Sequence, residues 1–152
     1  MIQFLKTHPE HFDEAMELAL SDKQPYAWRS AWLLWSCMEG NDKRVQGYID
    51  TILKVMPEKK DGHHRELIKI LSIMELDEDQ EGLLFNICMN VWESINKGPS
   101  VRYHALIFIL KIAKRHPELS GEIAFITQDQ YLDTLSPGIK NSISRMVRKA
   151  EE

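Results

Sequence analysis

Pro25-Tyr26-Ala27-Trp28-Arg29-Ser30-Ala31-Trp32 is the stretch whose reading decides the fold. Proline suits the first turn of a helix, because its missing N–H has no intrahelical partner there. Arg29 follows four residues later, and small or aromatic residues continue at helical spacing. The opening then returns. His63-His64-Arg65 heads a second helical run, Pro99-Ser100-Val101-Arg102 a third and Pro137-Gly138-Ile139-Lys140 a fourth. The basic residues 29, 65, 102 and 140 are separated by 36, 37 and 38 positions. Such a period marks a repeated supersecondary unit. A second apolar run follows each of the first three headed helices, so the unit is a helix pair. One pair cannot bury its apolar face alone; stacked pairs can, and the end of the stack then needs a polar outer face.

Working outward, helical periodicity covers nearly the whole chain, while alternating strand patterns and Asn-Gly hairpins do not occur. The spacing predicts a first helix over 9–20, with Thr7 and Glu10 as a capping box. Further helices are expected from Pro25 to Glu39, from after Asp42 to Met56, from Gly62 to Leu76, and from the acidic turn 75–79 to Asn96. Others are expected over 98–116 and about 118–127, and from Ser136 to Lys149. The fifth of these is apolar almost all round, from Leu83 to Ile95, as a central element should be. The last carries only a thin apolar line of Ile139, Ile143, Met146 and Val147, as a cap should. The fold class is all-α.

Composition narrows the function classes. At 152 residues and 43 % hydrophobic content, the chain suits one domain with a sizeable core. Net charge is −4, with 10 Lys/Arg against 12 Asp/Glu in residues 1–76 and 9 against 11 in 77–152. Neither half offers a basic arm for phosphates. Cys37 and Cys88 lie inside apolar runs and read as buried small hydrophobes of a reducing compartment. The opening apolar run is too short for a signal peptide, and no stretch is long enough to span a membrane. A cytoplasmic protein without membrane contact is the expectation.

Pro-x-x-x-Arg-x-x-Trp at Pro25–Trp32 and Pro-x-x-Arg-x-x-Ala at Pro99–Ala105 resemble the first helix of HEAT repeats, over residues 20–150. Ala-Trp-Arg-Ser-Ala-Trp at 27–32 and His-Arg-Glu-Leu-Ile-Lys-Ile-Leu at 64–71 are similar to a group of small bacterial HEAT-like proteins. The resemblance implies a right-handed α-α superhelix, a short solenoid of about three helix pairs. Repeats would cover 25–61, 62–98 and 99–135, with caps at 1–24 and 136–152. It also implies an Asp ahead of each basic residue. Asp22 and Asp61 are placed to serve Arg29 and Arg65, but Asn96-Lys97-Gly98 offers none for Arg102.

Few residues suggest chemistry. Trp28, Trp32 and Trp35 share one helix face, and aromatic stripes of this kind are usually core, so Trp32 and Trp35 are expected to be mostly buried. The competing reading is a base-stacking surface, because HEAT-like glycosylases that excise alkylated bases use Trp with Asp and Arg. His8 and His11 are three residues apart, and adjacent His63 and His64 diverge on a helix, so no metal site is expected and all read as solvated helix-end residues. No Gly-rich phosphate loop or Gly-x-Ser-x-Gly occurs. No catalytic residue and no cofactor are assigned. The candidate partner-binding residues are Asn86, Asn90 and Glu93, a polar stripe on the fifth helix, together with Asp50 and Lys54 on the third. In stacked helix pairs the second helices line the concave side. The expected function is a non-enzymatic scaffold binding a protein or peptide there. The alternative is a DNA-repair-like enzyme or nucleic-acid binder on the same fold, which the net negative charge disfavours.

Overall fold

A computed structural model describes residues 2–151 of the chain. Eleven α-helices and three short 3₁₀ turns follow one another, with no strand among the described residues. The helices form two compact units, one ending at Glu81 and the other beginning at Gly82.

The first unit contains α1 (Ile2–Thr7), α2 (Phe12–Leu20), α3 (Tyr26–Cys37), α4 (Lys43–Gln46), α5 (Ile49–Val55), α6 (Asp61–Ser72) and the start of α7 (Glu78–Glu93). Helix α3 is its hub, packed against α1, α2 and α6. Ala27 and Ala31 are completely buried on α3, and their small side chains allow close helix approach. Phe12, Met16, Leu34, Ile52, Met56, Leu67, Ile68 and Leu71 fill the core around them.

The sequence reading is corrected at the N-terminal end. Residues 9–20 split into a 3₁₀ turn, Pro9–His11, and α2, and α1 precedes them. The Thr7 hydroxyl donates to the carbonyls of Gln3 (3.0 Å) and Phe4 (3.1 Å), closing α1 where a cap for the following helix was expected. Pro9, lacking an N–H, ends one helix and opens the next turn. Pro25 is likewise the N-cap of α3 and not its first helical residue.

The expected third helix breaks at Gly47-Tyr48 into α4 and α5. Asp42 caps α4 by accepting from the Arg44 N–H at 3.1 Å. Tyr48 fixes the break, because its hydroxyl donates to Asp13 of α2 at 2.8 Å. Asn41 has φ 49°, a left-handed conformation that asparagine tolerates. Its N–H donates to Ile73 O at 2.7 Å and its side-chain oxygen accepts from the Glu75 N–H at 3.1 Å, tying the loop after α3 to the loop after α6. Asp77 and Gln80 then form a reciprocal capping pair at the start of α7, at 2.8 and 3.0 Å.

The second unit holds the rest of α7 with α8 (Pro99–Arg115), α9 (Ser120–Ile126), α10 (Asp129–Leu132) and α11 (Pro137–Glu151). Helix α8 packs on α9 and α11, and α10 is a short element that periodicity did not suggest. Trp92 is fully buried, and its indole N–H donates to Ile126 O at 2.8 Å. Leu84, Cys88, Ala105, Leu106, Ile109 and Ile143 complete this core.

Candidate functional site

A groove of about 500 Å³ lies in the first unit between α1, α2 and α3. Its floor exists because α2 and α3 form a hairpin held by Ser30, whose hydroxyl donates to Ala15 O at 2.6 Å. Leu18 and Leu33 line it, and Phe4 (47 % exposed) and Tyr26 (62 % exposed) stand at its surface. Phe4 stacks on His8 at 4.2 Å between centroids and lies 5.4 Å from the His11 ring. Phe4 and His11 thus give the groove an aromatic side, with His8 stacked on Phe4. Charge enters through Arg29 and through Glu14, whose carboxylate meets His11 Nδ1 at 3.2 Å. An apolar concavity of this size with a few convergent polar groups has the form of a binding site. Sequence reasoning missed it, because its α1 wall fell in a run too short to register as a helix.

The tryptophan face of α3 differs from expectation. Trp32 is 44 % exposed, so its predicted burial is wrong. Trp28 and Trp35 are half-buried. The reason is the partner available at each position. Trp28 packs against Gly62 of α6, so closely that a Cβ there would stand 3.1 Å from its indole nitrogen. Trp35 is covered by the Lys69 ammonium, 3.8 Å from the ring centroid. Trp32 carries the outer edge of the same stripe and stays in solvent.

On α7, Asn86, Asn90 and Glu93 are exposed, while Leu84, Ile87, Cys88 and Val91 are buried. Leu83, half exposed, shares the Asn86–Asn90 face by helical spacing and adds an apolar group to the stripe. Asp50 and Lys54 are both exposed on α5, one turn apart. Asp50 accepts a hydrogen bond from the Gln80 side chain at 3.0 Å. The structure therefore places Asn86, Asn90 and Glu93 on one surface of the second unit, and Asp50 and Lys54 on one surface of the first.

The family model of the HEAT repeat domain matches residues 1–150. The chain belongs to the HEAT repeat family. No curated protein and no solved structure matches it. HEAT repeats commonly serve as protein-interaction scaffolds. No helix among the described residues is long and apolar enough to cross a membrane, and none of their His, Cys, Asp or Glu side chains gather in threes that could hold a metal ion.

Within this HEAT repeat chain the recurring basic residue has four fates. Arg29 is exposed beside the groove. Arg65 pairs with the buried carboxylate of Glu66 at 3.1 Å, and Lys69 holds the other oxygen at 3.3 Å. Lys140 is half-buried. Arg102 is fully buried. Its guanidinium donates to Trp92 O at 2.9 Å, Thr134 Oγ1 at 3.1 Å and Tyr131 O at 2.6 Å, and lies 4.4 Å from the Trp92 ring centroid. Burial holds its pKa below the usual arginine value. Carbonyl dipoles and a π-face thus take the place of the Asp that the sequence lacks.

Asp22 does not serve Arg29. It pairs with Lys59 at 2.6 Å, and the same ammonium caps the end of α2 by donating to Leu20 O and Ser21 O at 3.2 and 3.0 Å. The Lys59 contact holds the Asp22 carboxyl below the ordinary carboxylate range. His63 and His64 are buried, which corrects their reading as solvated residues. His63 Nε2 lies 2.6 Å from Ala19 O and its Nδ1 lies 2.9 Å from the Gln24 amide nitrogen. That network suits a neutral ring with the proton on Nε2, and burial lowers its pKa. Cys37 and Cys88 are buried and joined by no disulfide, and burial raises both thiol pKa values.

Proposed function

We propose that this chain is a non-enzymatic interaction module, with repeats over 25–61, 62–98 and 99–135 between terminal caps, that binds a protein or peptide on its concave face through the exposed side of α7. The observation that carries this reading is the composition of that face. Leu83 stands half exposed beside Asn86 and Asn90, with Glu93 one turn further on. An exposed leucine offers an apolar anchor, and two amides can orient a peptide backbone by donating and accepting at once. Glu93 disfavours acidic ligands. Asp50 and Lys54, exposed on α5 of the first unit, are proposed as further partner-binding residues. The family's general use as a scaffold supports the class of partner. The two buried thiols support a reducing, cytoplasmic setting.

A second reading, nucleic-acid binding of the DNA-repair type, is favoured by exposed Trp32 and by Arg29 three residues before it, and opposed by the net charge of −4. One experiment separates the two. The chain and its Glu93→Lys/Asn90→Ala variant, both shown to be folded by circular dichroism, are used to capture partners from lysate with and without nuclease. A protein retained after nuclease and lost by the variant is the expected result. Capture that disappears with nuclease would support the second reading, and capture unchanged by the double substitution would remove α7 as the binding face.

A further inference from the structure

The groove between α1, α2 and α3 lies outside the α7 face, and its chemistry indicates a different ligand. We infer that it is a docking site for a short amphipathic helix, of about two turns, whose apolar side chains fill the groove and whose acidic residue meets Arg29.

Shape supports a peptide over a small amphiphile. Phe4 and Tyr26 leave 47 % and 62 % of their surfaces in water. A single fatty chain lying beneath them would leave those outer surfaces wet, whereas a helix laid across the opening covers them. Along α3 the lining extends from Tyr26 to Leu33, a rise of about 10 Å and close to that of two helical turns. A helix presenting apolar residues at i, i+3 or i+4, and i+7 fits such a depression.

Charge selects among helices. Glu14 is already engaged by His11, and its side chain is 77 % exposed, so water screens it. Arg29 is the fixed positive charge among the lining residues. Among the described residues its guanidinium makes no hydrogen bond or ion pair. Arg44 and Lys59 of the same unit are matched by Asp42 and Asp22, and Arg65 and Lys69 by Glu66. An incoming carboxylate supplies what Arg29 lacks, and guanidinium–carboxylate pairs can form two parallel hydrogen bonds. Tyr26, Arg29 and Trp32 follow one another at three-residue intervals along the exposed edge of α3. Tyrosine, arginine and tryptophan are the residue types that most often dominate binding energy at protein interfaces.

The test is a selection from a displayed library of random 16-residue peptides on the full chain, followed by fluorescence anisotropy with the enriched peptide. The expected consensus has apolar residues at helical spacing and an Asp or Glu at one fixed place. Arg29→Glu should weaken that peptide at least tenfold, Tyr26→Ala should weaken it several-fold, and Glu93→Lys on α7 should leave it unchanged. Replacing the peptide's acidic residue by Lys should restore binding to the Arg29→Glu variant. This charge swap keeps the test decisive whatever the variant does to affinity in general. An absence of enrichment, a consensus without an acidic position, or equal binding by wild type and Arg29→Glu would overturn the inference. So would dodecanoate binding at this groove in the absence of any peptide, or concentration-dependent self-association lost in the Arg29→Glu variant. Loss of the library peptide by Glu93→Lys would place the site on α7 instead.

Discussion

Arg29 and Arg102 occupy the same place in the repeat, in the first turns of α3 and α8, yet one guanidinium is exposed and the other is entirely enclosed. The tryptophans repeat the contrast, with Trp32 in solvent and Trp92 sealed in the core of the second unit. The difference teaches that repetition in sequence sets the backbone plan while the neighbours set each side chain's role. Arg102 finds two carbonyls, a hydroxyl and an indole face waiting for it. Arg29 finds the open edge of a groove. One residue type therefore serves as a structural tie in one unit and stands exposed at a groove in the other.

The largest expected effect breaks the comparison at the tryptophans. Trp92→Ala removes a fully buried ring and its hydrogen bond to Ile126 O, and should lower stability by about 3–5 kcal/mol. Trp32→Ala, with nearly half of its surface already in water, should cost clearly less, about 1–2 kcal/mol. Urea unfolding followed by circular dichroism measures both, and equal losses would mean that Trp32 is packed after all.

The arginines give the next effect. Arg102→Ala leaves the buried Trp92 O and the partly buried Tyr131 O without their donor. Each orphaned group costs about 1–3 kcal/mol. Arg29→Ala should again fall within about 0.5 kcal/mol in the same unfolding assay. If Arg29→Ala proved as damaging as Arg102→Ala, the groove-edge arginine would be structural.

The same contrast can be sharpened through His63, which ties α6 to the end of α2 and to Gln24. Its folded pKa lies below the unfolded value of 6.5. The unfolded state therefore binds the proton first, and the stability that neutral His63 contributes is complete above pH 6.5 and falls as pH drops through the folded pKa. The slope reaches at most about 1.4 kcal/mol per pH unit. The lowered carboxyl groups of Asp22 and Asp42 titrate below 3.8, outside this window. Stability measured from pH 7.5 to 5 should fall, and His63→Gln should remove part of that fall. An identical slope in the variant would detach His63 from the effect.

The smallest effect concerns Lys59. Lys59→Met removes the ammonium that joins Leu20 O, Ser21 O and Asp22 while keeping most of the buried stem. Hydrogen bonds to a charged group are worth about 1.5–3 kcal/mol, and exposure of Asp22 lowers the net loss to about 1 kcal/mol. Hydrogen exchange should report it as faster opening at the α2–α3 loop, with the second unit unaffected.

Much of this was legible in the chain itself. Periodicity located α3, α6, α7, α8 and α11, because each has an apolar face at helical spacing and a proline, glycine or acidic residue at its ends. Short elements escaped it. Six residues of α1 and four of α10 are too few to establish a period, and they hold only because longer helices supply partners, while α4 lay inside an expected helix whose break at Gly47-Tyr48 left no trace in the spacing. Of the candidate site, the exposed stripe of Asn86, Asn90 and Glu93 followed from helix geometry alone. The groove did not, since Phe4 on α1, Leu18 on α2 and Arg29 on α3 become neighbours only when three helices meet.

By itself the sequence determined an all-helical HEAT repeat chain, because burying an apolar stripe along a helix is a local property written in residue spacing. Only the tertiary structure decided that Arg102 would be buried and Arg29 left open, that Trp32 would meet water and that His63 would close on Ala19 O. Those outcomes depend on carbonyls, rings and gaps contributed by segments far along the chain, and no local pattern encodes what will arrive opposite a side chain.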